Sequence, residues 1–92
     1  MSEELWPEVL GLIQNQPDSE SINQVLEVLL TPEEQSDIAS RLAIMRALLE
    51  GSRSQRAVAA DLGVSIAKIT RGSNYLKRLS LQEKKLIDPN YD

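Results

Sequence analysis

Apolar residues recur along this chain at helical spacing from one end to the other. Leu5, Val9, Leu12 and Ile13 fall three or four positions apart, which predicts a first helix over about 3–14. Pro17 closes it, because the residue before a proline is driven away from helical geometry. Ile22, Val25, Leu26, Leu29 and Leu30 predict a second, short helix. Thr31-Pro32-Glu33-Glu34 then reads as a start signal: Thr31 caps, Pro32 suits the first helical position, and Glu34 completes a capping box. The third helix is expected to run to about Glu50, before Gly51. Ile38, Leu42, Met45 and Leu49 form one stripe on it and Ile44 and Leu48 a second, so more than one of its sides should be buried. A fourth helix follows Ser54 and stops before Gly63; Ser65 caps a fifth over about 66–77. Ser80 and Glu83 can box the start of a last helix over about 80–88, and Pro89 follows it. No segment alternates strictly as a strand does, so the expected class is all-α with six short helices.

Ninety-two residues hold one domain at most, 1–92, and bury a modest core. The apolar positions of the first three helices exceed what so small a chain can hide. An intimate homodimer is therefore expected, with 1–50 supplying mainly dimerisation helices. The chain has no Cys and no His, which removes disulfides, Cys-based zinc sites and the usual general base. No nucleophile–base pair, Gly-rich phosphate loop or metal cluster is evident, so neither enzyme nor prosthetic group is expected. The acidic start and the lack of a long apolar run suggest a cytoplasmic protein without a membrane span.

Charge divides the chain sharply. The net charge is −4, yet every Lys and Arg lies from Arg41 onward, while the stretch up to Ser40 carries acids alone. Such asymmetry suits an acidic half that avoids nucleic acid and a basic half that binds it. The basic half also contains the most specific local pattern. Over 54–77, Ser54 and Ser65 are placed to cap two short helices, Gly63 sits where a sharp turn needs positive φ, and Ala59 is small where the helices cross. Val58, Leu62, Val64 and Ile69 supply a shared apolar interface. This is the pattern of a helix-turn-helix, whose second helix enters a DNA major groove. A plain helical hairpin in a protein–protein dimerisation module is the alternative from another class.

Several runs also resemble a known family. Leu30-Thr31-Pro32-Glu33-Glu34, Ser40-Arg41, Leu48-Leu49-Glu50-Gly51, Ser54-Gln55-Arg56 and above all Ile66-Ala67-Lys68-Ile69-Thr70-Arg71-Gly72-Ser73-Asn74 are similar to the bacterial tryptophan (Trp) repressor family. The resemblance implies an interwound all-helical homodimer that represses transcription at a palindromic operator, with L-tryptophan as corepressor. It implies DNA contacts from Gln55, Arg56, Ile66, Ala67, Lys68, Thr70, Ser73 and Lys77. Arg56 suits a guanine edge, whereas Gln55, Thr70, Ser73 and Lys77 suit phosphates. A buried structural hydroxyl is the alternative role for Thr70. For the ligand, the resemblance implies Arg41 and Arg71 flanking the indole, carbonyls of Val28 and Leu30, Thr31, Gly72 and the position of Tyr75.

The chain departs from the family pattern at several points. Tyr75 stands where the family has a serine that holds the ligand's amino group. The tyrosine can turn to solvent, fill part of the pocket, or replace the indole between Arg41 and Arg71. The last two outcomes would give a repressor that uses another ligand or none. Ala59 replaces a common lysine and Lys68 a common threonine, which shifts one positive charge onto the recognition helix. Both terminal segments are short, so dimer stability should depend on protein concentration.

Overall fold

The computed structural model describes residues 2–91. Six helices follow one another: α1 (Ser2–Gln14), α2 (Ser19–Leu29), α3 (Pro32–Glu50), α4 (Gln55–Leu62), α5 (Ile66–Leu76) and α6 (Leu81–Ile87). There is no strand among the described residues, so the chain is all-α as its periodicity predicts. α1 runs through Pro7, a residue that brings no amide to the helix ladder. α5 ends one residue earlier than expected, with Lys77 as its C-cap, and α6 ends at Ile87, before Asp88 and Pro89.

Short polar side chains set the helix starts. The first amides of a helix have no partner one turn back, so a side-chain oxygen must accept from them. Asp18 Oδ1 accepts from the Ser21 amide at 2.9 Å to open α2. At α3, Thr31 Oγ1 accepts from the Glu34 amide at 3.1 Å and Glu34 Oε1 from the Thr31 amide at 2.9 Å, a complete capping box. Ser54 caps α4 and Ser65 caps α5 at 3.1 and 3.2 Å, and Ser80 with Glu83 boxes α6.

The chain forms two compact units, Met1–Gln35 and Ser36–Asp92. In the first, none of the residues whose side chains are described is buried, and Leu5, Trp6, Leu10, Leu12, Val28 and Leu29 are exposed. In the second, Ile44 and Ala47 of α3, Val58 of α4 and Ile69 of α5 form the core, with Leu48, Ala59, Leu62 and Val64 packed against it. Full burial of one such aliphatic side chain contributes about 1.5–3 kcal/mol, so a core of this size is marginal.

Two features hold the second unit in register. Gly63 has φ 66° and ψ 35°, the left-handed conformation that turns α4 into α5, and the Val64 amide donates back to the Ala59 carbonyl at 3.0 Å. Arg46 of α3 donates from Nε to the Ile87 carbonyl at 2.6 Å, which satisfies an acceptor at the C-terminal end of α6.

Candidate DNA interface and ligand cleft

The helix-turn-helix presents its polar side outward because its apolar side is used up in the core. Val58 and Ile69 are fully buried, and they fix the rotation of α4 and α5 about their axes. Ile66, Ala67, Lys68 and Thr70 on α5, Gln55 and Arg56 at the start of α4, and Lys77 at the end of α5 are consequently exposed; Ser73 is half-buried. Gln55 Nε2 reaches Ser73 Oγ at 3.4 Å, linking the start of α4 to the middle of α5. Thr70 is exposed and its hydroxyl donates to the Ile66 carbonyl at 3.1 Å, so its alternative role as a buried hydroxyl is excluded. Arg53, just before α4, is paired with Asp61 of α4 at 2.8 Å.

Behind α5, a cleft of about 140 Å³ opens towards α3. Asp37, Ser40, Arg41 and Ile44 line it from α3, and Lys68, Arg71 and Gly72 from α5. Each set follows the i, i+3, i+4 pattern of one helix face, with Ile44 a further turn on in α3. The helices meet closely because Gly72 has no side chain: a Cβ there would lie 2.8 Å from Ile44 Cγ2. Three cationic side chains and one carboxylate surround the opening, a set suited to an anionic or zwitterionic ligand with a flat apolar part. A guanidinium both stacks on an aromatic face and bonds a carboxylate in bidentate fashion.

The structure brings Arg41, Arg71 and Gly72 together at this cleft. Tyr75 does not line it; the residue is 56 % exposed, with the Arg78 guanidinium 5.9 Å from the centre of its ring. Of the three outcomes open to Tyr75 from sequence, the solvent-facing one is adopted, and its ring does not lie between Arg41 and Arg71. Lys68 lines the cleft as well as standing on the recognition helix, and its Nζ is 3.9 Å from Asp37 Oδ1.

Val28, Leu30 and Thr31 belong to the Met1–Gln35 unit. There Leu30 closes α2 in an extended conformation, outside helical geometry. The residue four after Val28 is Pro32, which has no amide hydrogen, and the Glu34 amide donates to Thr31 Oγ1. Asp37, Ser40 and Ile44 had not been assigned to a site from sequence. The readable signal was their spacing: Asp37, Arg41 and Ile44 fall on one turn-by-turn face of α3.

A tight two-helix turn with an exposed second helix, backed by a cation-lined cleft, defines a helix-turn-helix DNA-binding protein. Comparison with known proteins narrows the class. The family described as Trp repressor protein matches residues 4–90. A Trp operon repressor homolog of Vibrio parahaemolyticus is 43% identical over 79 residues, covering 86% of this chain and 77% of that protein. A second, from Chlamydia trachomatis serovar D, is 43% identical over 82 residues, covering 89% and 87%. The chain belongs to the Trp repressor family, a family of transcriptional regulators and not of enzymes. No helix among the described residues is long and apolar enough to cross a membrane.

Proposed function

We propose that this repressor is a homodimer that binds a palindromic operator when L-tryptophan occupies the cleft between α3 and α5. The observation that carries this reading is the placement of Arg41, Arg71 and Gly72 around one cleft directly behind the recognition helix. A ligand there touches α5 and so can favour the helix position that fits DNA, provided that it binds that position more tightly than others. Arg71 and Arg41 would flank the indole and take the carboxylate. The family resemblance adds Thr31 and the carbonyls of Val28 and Leu30 as proposed polar partners of the ligand. Tyr75 stays outside and leaves the cleft open.

On DNA, Arg56 would read a guanine edge through its O6 and N7 acceptors. Gln55, Thr70, Ser73 and Lys77 would hold phosphates and fix the register, with Ile66, Ala67 and Lys68 at the groove. Two copies of α5 related by a two-fold axis would enter successive major grooves, about 34 Å apart. The need for a second copy follows from the Met1–Gln35 unit. Its exposed apolar side chains have no core of their own, and pairing with another chain would supply one, making 1–92 a single domain within the dimer.

Calorimetric titration with L-tryptophan tests the ligand. One saturable site per chain, abolished in Arg71→Ala, is expected; no heat at millimolar ligand at two temperatures would remove tryptophan as the switch. Sedimentation at micromolar concentration should give a dimer, and a monomer would overturn the assembly.

A further inference from the structure

A second hollow in the Ser36–Asp92 unit joins the helix-turn-helix to α6 and shares no residue with the cleft. Gln55 and Ser73 line it, together with Lys77 at the end of α5, Lys84 of α6, Arg53 and Tyr91. Three of its lining residues are cations and none is a carboxylate. Arg53 is committed to Asp61 at 2.8 Å, whereas Lys77 and Lys84 make no ion pair among the described residues. The carboxylates on either side of Lys84 in sequence are engaged elsewhere. Glu83 accepts from the Ser80 amide at 2.9 Å and Asp88 from the Asn90 amide at 3.2 Å.

Lys84 is also held in place. The Ser80–Glu83 box fixes the start of α6, and the Arg46 bond to the Ile87 carbonyl fixes its end. The lysine is half-buried, and its Nζ lies 5.9 Å from the centre of the Tyr91 ring, a contact that restrains the ammonium group without neutralising it. Two unneutralised ammonium groups lining one hollow repel each other, and an anion from outside turns that repulsion into attraction for both. A DNA strand brings such anions in series, about one per 3.4 Å of helix axis.

We propose that Lys84 binds an operator phosphate adjoining those held by Gln55, Ser73 and Lys77, so that the DNA interface extends beyond the helix-turn-helix onto α6. The inference rests on reading those three residues as phosphate contacts. Such a contact adds affinity and fixes register without reading sequence. Lys85 supplies an internal control. It is the next residue of α6, equally charged and exposed, and it does not line the hollow. Long-range attraction alone would treat the two lysines alike; a direct contact separates them.

The test is the salt dependence of binding to a duplex selected by the wild type from a random-sequence pool, measured by fluorescence anisotropy with millimolar L-tryptophan present. Lys84→Ala should lower the slope of log affinity against log salt by about 0.9. The wild type's advantage over it should thus shrink about 3.5-fold as salt rises from about 50 to about 200 mM. Lys85→Ala should keep the wild-type slope, and Lys84→Arg should restore it, with circular dichroism and the melting temperature confirming that all three variants fold. An unchanged slope in Lys84→Ala, or an equal loss in Lys85→Ala, overturns the contact and leaves the helix-turn-helix as the DNA interface. A loss that Lys84→Arg does not restore assigns the effect to packing against Tyr91 and overturns it too. A wild type that selects no duplex overturns the DNA-binding reading itself.

Discussion

Gly72 of α5 and Ile44 of α3 are in such close register that a Cβ on the glycine would lie 2.8 Å from Ile44 Cγ2. Ile44 is 3% exposed and belongs to the core, so it has little room to yield. This contact sets the distance between the two helices that line the cleft. Gly72→Ala is expected to destabilise the protein by about 1–3 kcal/mol through overpacking, measured by urea unfolding at fixed protein concentration. Ile44→Leu has no methyl branch at Cβ. Combined with Gly72→Ala it should therefore recover part of the loss, a non-additive result that a double-mutant cycle reads directly. Strict additivity would mean that the two residues do not set the spacing.

At the turn between α4 and α5 the constraint is different. Gly63 has positive φ but no heavy atom within 4 Å of an added Cβ, so only the backbone penalty applies. Gly63→Ala should cost about 1–2 kcal/mol. For a chain of this size, each 1 kcal/mol lowers the melting temperature by about 4–8 °C. Gly63→Asn should cost less, because asparagine tolerates the left-handed region better. Equal melting temperatures for all three proteins would show that the turn adopts another conformation.

Arg56 is exposed beside the α4 cap and makes no ion pair among the described residues. Arg56→Ala should leave the melting temperature unchanged within a degree or two. Its operator affinity should fall by about 1–3 kcal/mol, with relaxed preference at one base pair of each half-site. A loss that is uniform across sequences and lowers the salt slope would assign Arg56 to phosphate instead.

Asp18 is exposed, and its carboxyl lies below the ordinary carboxylate range because the Ser21 amide, and then the Ser21 hydroxyl, donate to it. A carboxyl whose folded pKa is depressed adds stability above its unfolded pKa, and that stability is lost as pH falls through the folded value. The wild type should thus lose part of its α2 helicity on acidification below about pH 4. Asp18→Asn keeps a capping oxygen that does not titrate, so circular dichroism followed from pH 6 to pH 2 should show a smaller loss. Identical acid profiles would exclude the cap as the sensitive group.

The elements legible in the sequence are those whose cause is local. Ser54, Ser65 and the Ser80–Glu83 and Thr31–Glu34 pairs act within three residues of themselves, so helix starts could be read directly from residue order. Gly63 was equally readable, since its role depends on its own φ. Val58 and Ile69 were recognisable as core from their spacing within one motif, and both are fully buried. The family resemblance rested on the same stretch, because a tight turn and a groove-facing helix restrict many neighbouring positions at once.

What the linear order determined by itself was the all-α class, the starts of α3 to α6 and the helix-turn-helix. Each of these follows from backbone bonding and periodicity over a few residues. Only the tertiary structure decided which side chains share the cleft. Asp37 and Lys68 come within 3.9 Å although 31 positions separate them, and the close fit of Gly72 on Ile44 brings their helix faces together. The direction of Tyr75 was decided in the same way. The core fixes the rotation of α5 by burying Ile69 and Leu76, and that rotation leaves Tyr75 more than half exposed beside Arg78 and away from the cleft.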